Sequence, residues 1–378
     1  MTASPTRLAL LGAGIFAKES HLPALAQLGS TEVTLVAVYS RSEASASSLA
    51  ADAQTALGLD APPAVYHDDP KAPSASASLD ALLARADIDG VVVVLPITVQ
   101  PAIILKALAA GKHVLSEKPV APDVERGRAL IREYEGKYVP KGLVWRVAEN
   151  EEAEPPHVAA RRFIQEGKIG KVTFFSARVV GYVDEKSKYW NTPWRTVPDY
   201  QGGFLLDGGV HTIATLRVVL GDAPMARLAA HASLTHDILP PHDTIHALVA
   251  TASGAHGLVE LSWGAPVPSR AARAAGGIAV TDTDGWLEVG RAAGGDAVRC
   301  VARCAVRDAR GRVAGETEEV VEAERAGVRR EIASWLAAVR GEDDGINGPR
   351  GALADVAFIE AALNSGGKEV DLLELAKV

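Results

Sequence analysis

Cysteine is nearly absent from this 378-residue chain, which also has no long apolar run and no basic excess. Each absence removes a class of function. Cys300 and Cys304 have no second pair to complete a zinc site. On one strand they would share a face but stand about 13 Å apart, too far for a disulfide. No stretch approaches the roughly 20 apolar residues of a membrane span. Met1 to Arg7 leads into a strand-length apolar run without the basic and long hydrophobic regions of a secretory leader. A formal net charge of -8 speaks against nucleic acid or an anionic membrane as the main partner. There is no Walker lysine and no G-x-S-x-G elbow. His231, His236, His242 and His246 straddle strand and turn without a Cys or Glu cluster, so no metal site is expected. Thr281 to Gly285 lacks the later ligands of a calcium loop. A cytoplasmic, reduced protein is the expectation.

What the chain does have is strand-helix alternation. Strands are expected at Arg7 to Leu11, Val33 to Tyr39, Val65-Tyr66, Gly90 to Leu95, His113 to Ser116 and Gly142 to Val147. Helical patterns lie between them, up to Leu28 and at 44–53, 102–110 and 123–134. Gln54 to Ser78 reads as an extended surface connection. The four valines of Gly90 to Leu95 suit a strand buried on both faces, and the alternation as a whole gives a doubly wound parallel sheet of the Rossmann kind. From 148 the texture changes to a helix over 156–166, a series of β-type runs from Lys171 to Glu322 and two closing helices. The expected architecture is therefore α/β: a nucleotide-binding domain over 1–147, then an α+β domain over 148–378 with a large, mostly antiparallel open sheet.

Three motifs carry chemistry. Gly12-Ala13-Gly14-Ile15-Phe16-Ala17 fits G-x-G-x-x-A between a strand and a helix. Gly12 permits the tight turn and Gly14 lets a pyrophosphate reach the backbone. The helix start through Ile15 and Phe16 offers N–H groups and the positive end of its dipole. At the end of the second strand, Tyr39-Ser40-Arg41-Ser42 lacks the acid that reads the ribose hydroxyls of NAD. The Arg41 guanidinium and the Ser40 hydroxyl suit a 2′-phosphate instead, which favours NADP(H) over NAD(H). Glu117-Lys118-Pro119 follows the fifth strand at the carboxyl edge of the sheet, where Lys118 is a candidate proton donor or acceptor. Asp207 and His211, four residues apart at the start of a helical pattern over 209–220, would share a face, with the carboxylate orienting the imidazole.

Together these residues resemble the Gfo/Idh/MocA superfamily of nicotinamide-dependent oxidoreductases over nearly the whole chain. The segment from Asn191 to His211, with Leu95 to Pro101, is most similar to its fungal NADP-dependent branch. The resemblance implies that Lys118 assists proton transfer and that Asp207 and His211 form the family's Asp/His pair. It implies cofactor contacts at Leu95, Pro96, Thr98 and Glu117, with Pro96 and Thr98 beside the nicotinamide. Trp194 and Arg195 would approach the substrate pocket, and the second domain's sheet would mediate a homodimer. Two departures stand out. Ile97 and Gln100 replace a family Asn and His, and Ala214 replaces an acid, removing polar groups often set around a polyol. The expected activity is an NADP(H)-dependent interconversion of a hydroxyl and a carbonyl on a small sugar, polyol or aldehyde. An NAD-linked dehydrogenase is one alternative and a dinucleotide sensor without turnover is another. Lys118, Asp207 and His211 form a set for which a pure sensor has no chemical need.

Overall fold

A computed structural model describes residues 4–273, 276–292 and 295–378. In the first part of the chain, strands alternate with helices. The strands are β1 (Thr6–Leu11), β2 (Val33–Ser40), β3 (Ala64–His67), β4 (Gly90–Val93), β5 (His113–Glu117) and β6 (Trp145–Ala148). A π-helical turn (Ala17–His21) runs into α1 (Leu22–Leu28), followed by α2 (Glu43–Leu57), α3 (Leu79–Leu83), α4 (Gln100–Ala109) and α5 (Val124–Lys137). All strand pairs are parallel, in the order β3-β2-β1-β4-β5-β6. The order reverses between β1 and β4, the crevice in which doubly wound sheets hold ligands. Every residue of β4 is buried, as its valine run requires. The connection expected over 54–78 is shorter than that. Residues 54–57 complete α2, whose first turn is capped by the Ser42 hydroxyl and which ends on left-handed Gly58.

The second sheet has nine strands in the order β14-β13-β12-β11-β7-β10-β9-β8-β15. They are β7 (Val172–Val180), β8 (Met225–Ser233), β9 (Thr244–Thr251), β10 (His256–Ser262), β11 (Gly277–Asp282), β12 (Gly285–Arg291), β13 (Val298–Arg307), β14 (Val313–Ala323) and β15 (Val370–Asp371). All pairs are antiparallel except β7 with β10. The helices of this part are α6 (Pro155–Gln165), α7 (Pro193–Thr196), α8 (Phe204–Leu220), α9 (Pro268–Arg273), α10 (Gly327–Val339), α11 (Pro349–Asn364) and α12 (Leu372–Leu375). Helices α6, α8 and α11 pack on one face of the sheet. On the other face Phe174, Leu248 and Leu258 stand exposed. No helix of the described residues is long and apolar enough to cross a membrane.

One helix crosses between the two units. Ile332, Trp335 and Leu336 of α10 bury among Leu8, Leu10, Leu25, Val92 and Leu115 of the first unit. The Trp335 ring comes to 3.0 Å from where a Cβ on Gly90 would sit, so glycine at that strand position is what admits it. The expected division at 147/148 does not account for this helix.

Candidate active site

The carboxyl edge of the parallel sheet gathers the motifs. Gly12 leaves β1 at φ 118, and a Cβ there would lie 2.0 Å from the Val94 carbonyl oxygen. Only glycine fits that turn. A Cβ on Gly14 would meet nothing within 4 Å, so its backbone borders open space. Ile15 and Phe16 are half-buried, and Ala17 is fully buried where the helix packs on the sheet. This is a cradle of the kind a pyrophosphate occupies, and the residues present fit a dinucleotide.

At the end of β2, Ser40 is half-buried and Arg41 is exposed, with no hydrogen-bond partner among the described residues. The region is less free of acids than the strand end alone suggests. Asp68 and Asp69, following β3, stand beside it. Asp68 accepts a hydrogen bond from the Tyr39 hydroxyl at 2.9 Å, and Asp69 accepts from the amides of Glu43 and Lys71.

Glu117, buried at the end of β5, pairs through Oε1 with Nε2 of His21 at 2.7 Å. His21 is fully buried, and Phe16 meets its ring edge-on at 5.4 Å. After β4, Leu95, Pro96 and Thr98 are half-buried. The Thr98 hydroxyl donates to Asp199, 3.1 Å away across the cleft. Ile97, Gln100 and Ala214 lie in the packed interior, so none of these three residues presents a polar group to solvent.

Lys118 Nζ donates to the Asp207 carbonyl oxygen at 2.7 Å and to its Oδ1 at 2.9 Å. Arg195 Nε donates to Oδ2 of the same carboxylate at 2.7 Å. Burial alone would raise the Asp207 pKa. The Lys118 and Arg195 charges override it and hold the carboxyl well below its ordinary range. The Arg195 guanidinium lies 4.0 Å over the Trp194 ring and 5.4 Å from that of Tyr189.

Asp207 does not orient His211, contrary to the expectation from their spacing. Its carboxylate is taken by the two cations, and His211 Nδ1 instead meets Glu149 Oε1 at 2.5 Å. Glu149 is 1% exposed and directly follows β6. Burial would lower the His211 pKa, and Lys118 also presses it down. The charge and hydrogen bond of Glu149 outweigh both and raise it above its ordinary value. The helix carrying the pair also begins earlier than 209, because its first turn, Phe204 to Leu206, is buried. Glu149 and His21 are the partners that motif reading misses. An acid directly after a parallel strand, the same placement that marks Lys118, is the signal that could have found Glu149.

Residues 6–140 match the model of an oxidoreductase family with an NAD-binding Rossmann fold, and residues 157–288 match the GFO/IDH/MocA C-terminal domain. The chain belongs to the Gfo/Idh/MocA family. A family relative, dehydrogenase FPY6 of Fusarium mangiferae, is 44% identical over 261 residues, covering 68% of this chain and 70% of that one. Inositol 2-dehydrogenase of Rhizobium meliloti is 28% identical over 262 residues, 68% of each chain. The crystal structure of an oxidoreductase from Thermotoga maritima superposes with a TM-score of 0.80 at 28% identity, covering 98% of this chain and 99% of that one. The protein is thus a member of an NAD(P)-binding oxidoreductase family that includes dehydrogenases and reductases.

Proposed function

We propose that the protein is an NADP(H)-dependent oxidoreductase that interconverts a hydroxyl and a carbonyl on a small molecule. Gly12, Gly14, Ile15 and Phe16 would hold the pyrophosphate, and Ser40 and Arg41 the 2′-phosphate. Leu95, Pro96, Thr98, Glu117 and Lys118 would line the nicotinamide end. The bound nicotinamide supplies or accepts the hydride. Support for NADP comes from Arg41, exposed and unengaged, while the neighbouring carboxylates of Asp68 and Asp69 are already hydrogen-bonded.

The observation that carries the reading is the convergence of Lys118 and His211 beside Asp207. Two protons of the Lys118 ammonium are directed at Asp207, which leaves the third to donate to the substrate oxygen. With Nδ1 held by Glu149, His211 has Nε2 to give that oxygen a proton in reduction or remove it in oxidation. Lys118 supplies fixed positive charge where the alkoxide develops. Trp194 and Arg195 would contact substrate together with Asp207 and His211. Residues 1–147 would be chiefly the cofactor unit and 148–378 the substrate unit. The open sheet face with Phe174, Leu248 and Leu258 suits a homodimer, and the free cysteines suit the reducing cytoplasm.

The test is a titration of wild type and Arg41→Ala with NADPH and NADH, followed by an aldehyde and sugar panel. Wild type should prefer NADPH. Arg41→Ala should weaken NADPH by about 10- to 150-fold, the worth of one charge-assisted hydrogen bond, and leave NADH unchanged. A preference for NADH would overturn the cofactor reading. Dinucleotide binding with no turnover on any carbonyl would make the protein a sensor.

A further inference from the structure

Arg195 has more donors than its neighbours use. Of its five N–H groups only the one on Nε is engaged, by Asp207. Nη1 and Nη2 have no hydrogen-bond partner among the described residues, and neither belongs to the set of buried unpartnered atoms, so neither is fully shut off from solvent. Yet the side chain as a whole is only 16% exposed. Nε is pinned and the rings of Trp194 and Tyr189 lie within 4.0 and 5.4 Å of the guanidinium carbon, which restrains the group and leaves its Nη1/Nη2 edge to be offered in one orientation.

The charge balance points the same way. Lys118 and Arg195 share the single carboxylate of Asp207, which leaves one positive charge in surplus in a secluded site. The nearby charges do not cancel it. Glu149 is held at 2.5 Å by His211 Nδ1 and is matched in charge whenever that imidazole is protonated. The Tyr200 phenol is kept neutral, its pKa raised by burial and by Asp207. Asp199 is exposed, so water screens its charge, and its carboxylate also accepts from the Thr98 hydroxyl. The alkoxide that forms during reaction is already served by the third proton of Lys118 and by His211 Nε2. The Arg195 edge is left for something else.

We propose that the substrate carries a permanent anionic group, a carboxylate or a phosphate, bound by the Nη1/Nη2 edge of Arg195. The inference rests on the oxidoreductase reading and narrows it from small carbonyl compounds in general to hydroxy and oxo acids or sugar phosphates. A planar fork with two parallel N–H groups matches either oxyanion in a way an ammonium does not.

The experiment is calorimetric binding to protein preloaded with NADPH, and to cofactor-free protein, without turnover. The probes are glycerate, its uncharged amide glyceramide, and inorganic phosphate. Glycerate should bind wild type at least 10-fold more tightly than glyceramide. Arg195→Gln, with its melting temperature checked, should abolish that preference. Arg195→Lys keeps the charge without the fork and should lose most of it. Phosphate binding more tightly than glycerate would assign the group as a phosphate, and the reverse as a carboxylate. Equal binding of glycerate and glyceramide by wild type would overturn the proposal, as would an undiminished preference in Arg195→Gln. If NADPH fails to bind while the anion preference persists in cofactor-free protein, the oxidoreductase reading falls and the anion site stands.

Discussion

Replacing Gly14 by alanine should separate cofactor binding from folding. A Cβ at this position meets no atom within 4 Å, and Gly14 is not among the residues with positive φ. Alanine therefore fits the folded chain. By restricting the unfolded one it should stabilise the protein by about 0.4–1 kcal/mol, roughly a degree in Tm at this length. The same methyl group occupies the open space through which a pyrophosphate would reach the backbone N–H groups. Losing one such charge-assisted bond, about 1.5–3 kcal/mol, weakens NADPH by about 10- to 150-fold. Gly12→Ala is the contrast. At φ 118, with its Cβ 2.0 Å from the Val94 carbonyl oxygen, it must force the ends of β1 and β4 apart, so stability and binding should fall together. Thermal unfolding and nicotinamide fluorescence read the two quantities separately. Gly14→Ala protein that binds NADPH like wild type would refute the cradle as the phosphate site.

Lys118→Ala should lower turnover by about 10²- to 10⁴-fold with little change in NADPH affinity; undiminished turnover would remove Lys118 from the mechanism. In wild type the raised His211 pKa keeps the imidazolium populated above its ordinary titration range, so the rate of carbonyl reduction should fall only as pH rises through the raised value. The stability contributed by the Glu149 pair is full below the ordinary histidine pKa of about 6.5 and disappears over that same rise. Glu149→Gln should move both transitions to lower pH; NMR titration of the imidazole tests this, and an unmoved midpoint would contradict it. Asp282 is buried with both carboxylate oxygens unpartnered, and burial pushes its pKa up to about 7. The folded state favours its neutral form, so stability is lost as pH rises from about 4 to about 7. Asp282→Asn should recover up to about 4 kcal/mol at pH 8 and almost nothing at pH 4, and equal gains at both would rule out titration as the cause.

The order of strands and helices was legible because hydrophobic periodicity and turn glycines are local signals. The placement of Lys118 was legible for a related reason: every parallel strand of a doubly wound sheet ends on the same edge. What was hidden depends on which strand ends become neighbours. Glu149 reaches His211 across 62 residues and His21 reaches Glu117 across 96, and no spacing rule on one helix encodes either meeting. The i to i+4 geometry correctly puts Asp207 and His211 on one helix. It cannot tell that two cations arriving from elsewhere, Lys118 and Arg195, outcompete the imidazole for the carboxylate. Asp68 and Asp69 escaped notice because they follow β3, while the ribose position was judged from β2 alone.

The crossing of α10 onto the first sheet sets a timetable for birth on the ribosome. Strands β1 to β5 are complete by Glu117, but the apolar face shared by Leu8, Leu10, Val92 and Leu115 is not fully covered until Trp335 is translated. Helices α1 and α2 cover part of it early, but at about 5–20 residues per second the part that α10 covers stays open for about 10–40 s. A nascent chain holding it open is a natural client for a chaperone. A fragment that stops before α10 would keep the phosphate cradle but never acquire the lid of its own core.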